Sequence, residues 1–257
     1  EALELLKSLI AIPSFSKEEG ETATCIENYL QQKGVQSYRT GNNVYAVAGD
    51  IDLTKPTLLL NSHHDTVKPN PQYTKDPFSP IIENEKLYGL GANDAGGPLV
   101  ALIATFLHFH ANGIPGWNLI LAATAEEEIS GSGGIEALLK DPLFIQQTKG
   151  CFTKEYLHPN TCAIVGEPTL LSMAVAERGL LVLDAIATGK AGHAAREEGD
   201  NALYHALNAI QWFQSYEFEN RSVLLGPVKM SVTVIETENK AHNVVPATCR
   251  FVVDVRV

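Results

Sequence analysis

The stretch Thr57-Leu58-Leu59-Leu60-Asn61-Ser62-His63-His64-Asp65-Thr66-Val67 decides the predicted fold of this 257-residue chain. Its apolar beginning, residues 57–60, predicts a buried strand. A parallel strand of that kind carries its C-terminal residues to the crevice where α/β folds bind ligands. His63 and Asp65 are two residues apart, so on an extended backbone they point to the same face. An imidazole and a carboxylate placed together at a strand end form the first part of a predicted metal site.

The rest of the chain predicts two domains. Strands and helices alternate up to about residue 171, which predicts an α/β domain with a mostly parallel sheet over residues 1–171. Within it, Ser16 and Glu19 are interpreted as a capping box that opens a helix ending at Lys33. The order then changes to a long strand, a helix and two alternating strands, at residues 173–187, 201–216, 228–235 and 248–257. This order predicts a smaller α+β domain over residues 172–257.

Composition excludes several classes of partner. The formal net charge of −11 argues against binding to nucleic acid or to an anionic membrane, because both favour clustered Lys and Arg. No apolar run approaches the roughly 20 residues that a transmembrane helix needs. The four cysteines are far apart and form no CxxC pair, which disfavours a disulfide framework and favours a cytoplasmic location.

Further acidic residues follow other predicted strands. Asp94 lies in the glycine-dense turn at residues 89–97, residues 126–128 are three consecutive Glu after the strand at 117–123, and Glu167 follows the strand at 163–165. Because the ends of parallel strands meet at one edge of a sheet, these groups are expected to share one crevice with His63. One imidazole among several carboxylates suits one or two divalent cations, with zinc favoured.

Each of these positions also has a purely structural explanation. A His after a strand is often structural, consecutive Glu often form a solvated turn or helix N-terminus, and acidic residues are common in turns rich in Gly or Pro. The spacing alone therefore leaves both interpretations open. With two metal ions about 3.5–4 Å apart, Asp94 would be a possible bridge and a spare glutamate a possible base.

Four blocks resemble the signature motifs of the M20 metallopeptidase family. They are Ser-His-His-Asp-Thr-Val at 62–67, Tyr-Gly-Leu-Gly-Ala-Asn-Asp-Ala-Gly-Gly at 88–97, Thr-Ala-Glu-Glu-Glu at 124–128 and Val-Gly-Glu-Pro-Thr at 165–169. The resemblance implies a catalytic zinc-binding domain over 1–171 and a lid domain over 172–257 that forms a homodimer. It also implies zinc as cofactor, with cobalt or manganese as possible substitutes.

The same resemblance implies a role for each matched residue of the first domain. His63 and Glu167 would bind one zinc ion, Asp94 would bridge to a second, and Glu128 would bind that second ion. Asp65 would orient His63 from behind. The general base would be the first of the final two glutamates in the acidic block, Glu127.

Three residues of the second domain are matched in the same way. His193 lies in the lid segment 189–195. It would reach, usually from the partner subunit, to the substrate carbonyl oxygen and stabilise the oxyanion. Asn243 would contact bound substrate and Arg256 would pair with a substrate carboxylate. For Asn243 and Arg256 a structural role is an equal alternative.

One departure from the family pattern concerns the last metal ligand. Members carry a final zinc-ligating His after the lid, but no His follows His242 here, and His242 lies inside the lid block. We therefore expect the chain to correspond to about the first two-thirds of a member. Both domains would then lack their C-terminal parts.

The resemblance predicts a zinc-dependent hydrolase that cleaves the amide bond of an N-acyl amino acid. The Glu-Arg-Gly run at 177–179 and the block at 166–169 look most like acetylornithine deacetylase-type members, which act in arginine or lysine biosynthesis. An M20 di- or tripeptidase or a carboxypeptidase is the first alternative. A catalytically inactive dimerisation or binding fragment is an alternative of another class.

Overall fold

A computed structural model describes residues 1–257 and divides them into two compact units, Glu1–Leu171 and Ser172–Val257. The first unit is an α/β domain and the second is a small antiparallel sheet with one long helix. The predicted fold class, α/β with a smaller α+β part, is confirmed. None of the helices combines the length and the apolar character that crossing a membrane requires.

The first unit contains five α-helices and seven strands. The helices are α1 Ala2–Ile10, α2 Gly20–Gln32, α3 Gly97–Asn112, α4 Ile135–Lys140 and α5 Pro142–Gln147. The strands are β1 Ser37–Thr40, β2 Asn43–Val47, β3 Thr57–His63, β4 Ile81–Glu83, β5 Lys86–Tyr88, β6 Asn118–Thr124 and β7 Cys162–Val165. A five-residue turn, Ala92–Gly96, in which Asp94 and Ala95 are not helical, precedes α3, and a short 3-10 turn, Glu127–Ile129, follows β6.

The central sheet of this unit has the strand order β1-β2-β6-β3-β7. The strands β6, β3 and β7 run parallel, whereas β1 and β2 extend the sheet with antiparallel pairings. Every residue of β6 is buried, as expected for a central strand covered on both faces. The carboxyl ends of the three parallel strands therefore form one continuous edge, at Thr124, His63 and Val165.

Helices cover both faces of this sheet. On one face α1, α2 and α3 pack against a core that includes Ile26, Leu60 and Phe106. On the other face α4 and α5 pack against a second core that includes Tyr45 and Phe144. Alternate residues of β6 belong to opposite cores, because successive side chains of a strand point to opposite faces.

The second unit is built on an antiparallel sheet of order β10-β12-β8. Its elements are β8 Leu180–Thr188, β9 Gly192–His193, α6 Ala202–Ser215, β10 Lys229–Thr237, β11 Val244–Val245 and β12 Thr248–Arg256. Asn201 caps the start of α6, where its side chain accepts the N–H of Leu203, and the helix packs on one face of the sheet through Ala202 and Ala206. β9 and β11 form a separate short antiparallel pair. In the sequence β9 follows β8, and β11 precedes β12.

Two local predictions are wrong. The strand predicted from residue 173 begins only at Leu180, because its pairing with β12 starts there; Met173 and Val175 lie outside it and are largely exposed. The predicted capping box is also absent. Glu19 precedes α2 but makes no side-chain bond to its first turn, and Ser16 and Glu19 form long-range hydrogen bonds instead.

Candidate metal centre

The carboxyl edge of the parallel strands positions the predicted site residues of the first unit. His63 is the last residue of β3, the acidic block 126–128 follows β6, and Glu167 comes two residues after β7. Asp94 lies in the turn Ala92–Gly96 that leads into α3. Four different segments therefore bring imidazole and carboxylate groups to one place, as expected for the ligand-binding edge of an α/β sheet.

His63 is the centre of this cluster, and its ring is almost fully buried. Its Nε2 atom lies 3.2 Å from Asp94 Oδ1, 3.8 Å from Glu127 Oε2 and 3.8 Å from Glu167 Oε1. Two overlapping ligand sets result, His63 with Asp94 and Glu128, and His63 with Glu127 and Glu167; the ligand atoms within each set lie within 4.8 Å of one another.

The cluster carries an excess of negative charge. Burial, together with the neighbouring carboxylates Glu127, Asp94 and Glu128, raises the pKa of Glu167 to about 6 against the opposing effect of His63. Burial and the charge of Asp94 likewise raise the pKa of Glu128. No lysine or arginine forms a salt bridge with any of these carboxylates; their ion pairs all involve His63.

A divalent cation fits these residues. Carboxylate oxygens and an imidazole nitrogen are ligands that zinc accepts, and a cation between them would relieve the repulsion that raises the carboxyl pKa values. In the absence of a cation the same carboxylates favour a protonated His63 ring, so a metal ion would displace that proton when it binds. Burial lowers the pKa of His63, but the hydrogen bond and charge of Asp65, with Glu167 and Glu127, outweigh burial and raise the pKa to about 9. The described cluster supplies one imidazole.

Asp65 lies behind His63 and is fully buried. Its Oδ1 atom is 3.3 Å from His63 Nδ1, and its backbone oxygen is 3.0 Å from the same nitrogen. It also accepts hydrogen bonds from Ser16 Oγ at 2.7 Å and from the backbone N–H groups of Glu127 and Glu128 at 3.0 and 3.2 Å. Burial alone would raise its pKa, but these donors lower it. Asp65 therefore connects the imidazole to the acidic block.

The neighbouring His64 faces away from the cluster. Its Nε2 lies 3.0 Å from the carbonyl oxygen of Asn42 and its Nδ1 lies 2.9 Å from the hydroxyl of Thr22. Burial lowers its pKa to about 4. A neutral ring that donates to Asn42 and accepts from Thr22 satisfies both nitrogens, so His64 is a buried polar link between α2 and the end of β3.

In the second unit, His193 and Asn243 lie next to each other. The β9–β11 pairing aligns His193 with Val244, and the carbonyl oxygen of Asn243 accepts the N–H of Ala194 at 2.9 Å. The N–H of Ala195 donates to His193 Nδ1 at 3.2 Å. Because Nδ1 accepts this bond, the neutral ring carries its proton on Nε2 and presents an N–H donor on its free side.

Arg256 is not brought to that loop. It lies at the far end of β12 from β11, and at about 3.3 Å per residue the eight steps from Thr248 span about 26 Å. Its guanidinium forms two hydrogen bonds with Asp254, at 2.9 and 3.1 Å. The Asp254 carboxylate therefore occupies the Arg256 guanidinium, which the family resemblance assigned to a substrate carboxylate.

Sequence reasoning missed the polar residues that hold the acidic block from behind. Glu19 and Asn42 are the main ones, and Ser16 joins them through Asp65. The sequence did show Ser16 and Glu19 as a polar pair before a helix, but their spacing of three residues also suits a helix cap. Only the position of Glu19 beside the segment that follows β6 distinguishes the two interpretations.

Comparison with known proteins identifies the class. Residues 59–250 match the family model described as peptidase family M20/M25/M40. The chain therefore belongs to this family.

Curated relatives agree with that assignment. The chain is 27% identical over 270 residues to succinyl-diaminopimelate desuccinylase 2 of Ruegeria sp. (strain TM1040), covering 99% of this chain and 64% of the relative. It is 29% identical over 264 residues to succinyl-diaminopimelate desuccinylase of Cereibacter sphaeroides (strain ATCC 17025 / ATH 2.4.3), covering 98% and 66%. The chain thus spans about two-thirds of the length of these relatives.

The fold is similar to that of the M20 family metallo-carboxypeptidase Sso-CP2 from Sulfolobus solfataricus. The TM-score is 0.65 at 20% sequence identity, and the match covers 100% of this chain and 71% of that one. At this identity the likeness supports the fold alone.

Proposed function

We propose that the protein is a metal-dependent amidohydrolase that removes an acyl group from an N-acyl amino acid. The observation that carries the proposal is the meeting of one imidazole and four carboxylates at the carboxyl edge of the sheet, in a chain of the M20/M25/M40 family. The unit 1–171 would contain the metal and the general base. The unit 172–257 would act as the lid.

His63, Asp94, Glu128 and Glu167 would hold one or two zinc ions, or cobalt or manganese in their place, and the metal would polarise the substrate carbonyl and acidify water. Glu127 would take a proton from the attacking water and return it to the leaving nitrogen. The carbon gains the water oxygen and loses the amide nitrogen, so the products are a carboxylic acid and a free amine.

Other residues would act on the substrate or on these groups. Asp65 would keep His63 oriented, since it holds the ring nitrogen that faces away from the cluster. The Nε2–H of His193 would donate to the carbonyl oxygen as negative charge develops there. Asn243, adjacent to His193 in the lid loop, would contact the substrate. Arg256 would bind a substrate carboxylate only after leaving Asp254.

The names of the curated relatives favour a succinyl group over the acetyl group of ornithine-type substrates. Expressed at its natural full length, the protein should hydrolyse N-succinyl-diaminopimelate faster than N-acetylornithine and faster than unblocked dipeptides. A chelator should abolish turnover and added zinc should restore it, because the carboxylate cluster needs a cation. Stopped assays of amine release measure each rate.

The outcomes of this panel separate the alternatives. Preferential turnover of dipeptides would instead identify a di- or tripeptidase. Zinc binding without hydrolysis of any of the three substrate types would favour the non-catalytic binding module. A cytoplasmic location is part of the proposal, and the four free cysteines agree with a reducing compartment.

We also propose that the second unit forms a homodimer through its edge strand β8. Leu181, Val182 and Ile186 on this strand are 50%, 53% and 68% exposed, and the outer edge of β8 has no partner strand. Val182→Lys should shift the protein from dimer to monomer in light scattering after gel filtration, because an inserted charge opposes edge pairing. Val182→Thr keeps the β-branched shape and should remain dimeric. An unchanged mass for Val182→Lys would contradict this interface.

A further inference from the structure

The three acidic residues after β6 are held by their backbone, and two buried carboxylates accept their N–H groups. Glu127 and Glu128 donate to Asp65 at 3.0 and 3.2 Å, while the N–H of Glu126 donates to Oε1 of Glu19 at 3.1 Å. Glu19 is fully buried and lies 107 residues earlier in the chain. Three consecutive donors at the start of the 3-10 turn therefore end on carboxylate oxygens, which form stronger hydrogen bonds than neutral acceptors do.

The backbone of Glu126 explains why this support matters. Its φ of 55° and ψ of 23° lie in the left-handed region, which is unfavourable for a residue with a side chain. Its carboxylate folds back and accepts the N–H of Gly133 at 3.2 Å, and a Cβ at Gly131 or Gly133 would collide with it. Because Glu127 follows directly, this turn decides where the carboxylates of the next two residues point.

Glu19 is itself fixed by a chain of hydrogen bonds. Its Oε1 also accepts the N–H of Lys17 at 2.7 Å, and its Oε2 accepts from Asn42 Nδ2 at 2.7 Å. Arg39 donates to Asn42 Oδ1 at 3.1 Å, which keeps the amide nitrogen of Asn42 turned toward Glu19. If residue 19 were Gln, its NH2 group would face the NH2 group of Asn42, and two donors would then oppose each other. A flip of Asn42 would only move the same conflict to Arg39.

We propose that Glu19 is a positioning residue of the metal centre, which acts through the Glu126 turn to aim the carboxylates of Glu127 and Glu128. The inference rests on the proposed metal-hydrolase function and assigns to that site a residue outside the metal cluster. Ser16, three residues earlier, donates to Asp65, so the segment 16–19 supports both carboxylates that hold the acidic block. Its polar pattern serves the site instead of capping α2.

Glu19→Gln tests the proposal in the protein at its natural full length. Zinc affinity, measured by competition with a chromophoric chelator, should fall by about 10- to 100-fold, as is typical when the support of metal ligands is altered. The visible absorption spectrum of the cobalt-substituted protein should change, because the ligand carboxylate of Glu128 is displaced. The fold decrease in kcat should exceed the fold increase in KM, because Glu127 is displaced as well.

Glu18→Gln is the matched control. Glu18 is the neighbour of Glu19 in the sequence and its side chain is exposed. The substitution removes the same charge, and it should leave zinc affinity, the cobalt spectrum and kcat unchanged. A folded Glu19→Gln protein with wild-type zinc affinity and cobalt spectrum would overturn the proposal, even if its melting temperature fell. If Glu19→Gln does not fold, Asn42→Ala decides by the same spectrum, where a change supports the proposal and none overturns it. An unmodified protein that binds neither zinc nor cobalt would refute the proposed function itself.

Discussion

Glu127→Gln is expected to lower kcat by about 10²- to 10⁴-fold while the zinc content of the protein stays at its wild-type value. The amide keeps the size of the side chain but cannot take a proton from water. Glu127 is half-exposed at the edge of the cluster, 3.8 Å from His63 Nε2, so the exchange leaves no buried group unpaired. Steady-state kinetics on the preferred substrate and metal analysis of the same preparation provide the measurement.

Glu128→Gln is the companion variant. Since Glu128 belongs to the ligand set with His63 and Asp94, its replacement should lower metal content together with activity. The geometry makes this contrast informative, because Glu127 also falls within a ligand set, with His63 and Glu167. Loss of zinc from Glu127→Gln with retention in Glu128→Gln would show that the two adjacent residues have exchanged roles.

Asp65→Asn is expected to weaken both the fold and the metal site. Asp65 is fully buried and accepts hydrogen bonds from Ser16 and from the N–H groups of Glu127 and Glu128. An amide nitrogen in place of one oxygen would face these donors, and the ion pair with His63 would be lost. We expect zinc affinity to fall by at least about 10-fold. The free energy of unfolding of the metal-free protein should fall by about 3–5 kcal/mol, the usual effect of removing one partner of a buried pair.

Urea unfolding in the presence of a chelator separates the effect on the fold from the effect on metal binding. Asp50→Asn is the control, because it makes the same chemical change at an exposed position without side-chain hydrogen bonds, and it should alter neither quantity. Wild-type stability and affinity in Asp65→Asn would show that the buried network does not support the site.

The positions of the strands and of the acidic cluster follow from local pattern. The apolar run before His63 and the fully buried strand before residues 126–128 are adjacent parallel strands, so their polar ends had to meet. Glu167 joins them because β7 pairs with β3 in the same direction. Alternation of strands and helices was enough to predict this, since parallel strands with helical connections end at the same edge of the sheet.

The partners of Ser16 and Glu19 could not be predicted in this way. Their spacing of three residues suits a helix cap, and nothing nearby in the sequence contradicts a cap. The bonds that form join residues 49 and 107 positions apart, to Asp65 and to the N–H of Glu126. Such partners depend on how the fold places the start of α2 beside the segments that follow β3 and β6, and local pattern does not contain that information.

The same distinction applies to the two histidines of the opening stretch. The sequence by itself determined that a polar, imidazole-containing segment ends a buried strand, because periodicity and apolar runs are local properties. Only the tertiary structure decided that His63 faces the carboxylates whereas His64 bonds to Asn42 and Thr22. A polar group removed from water must find a partner among the groups that the fold brings within about 3 Å, and that set exists only after the elements have packed.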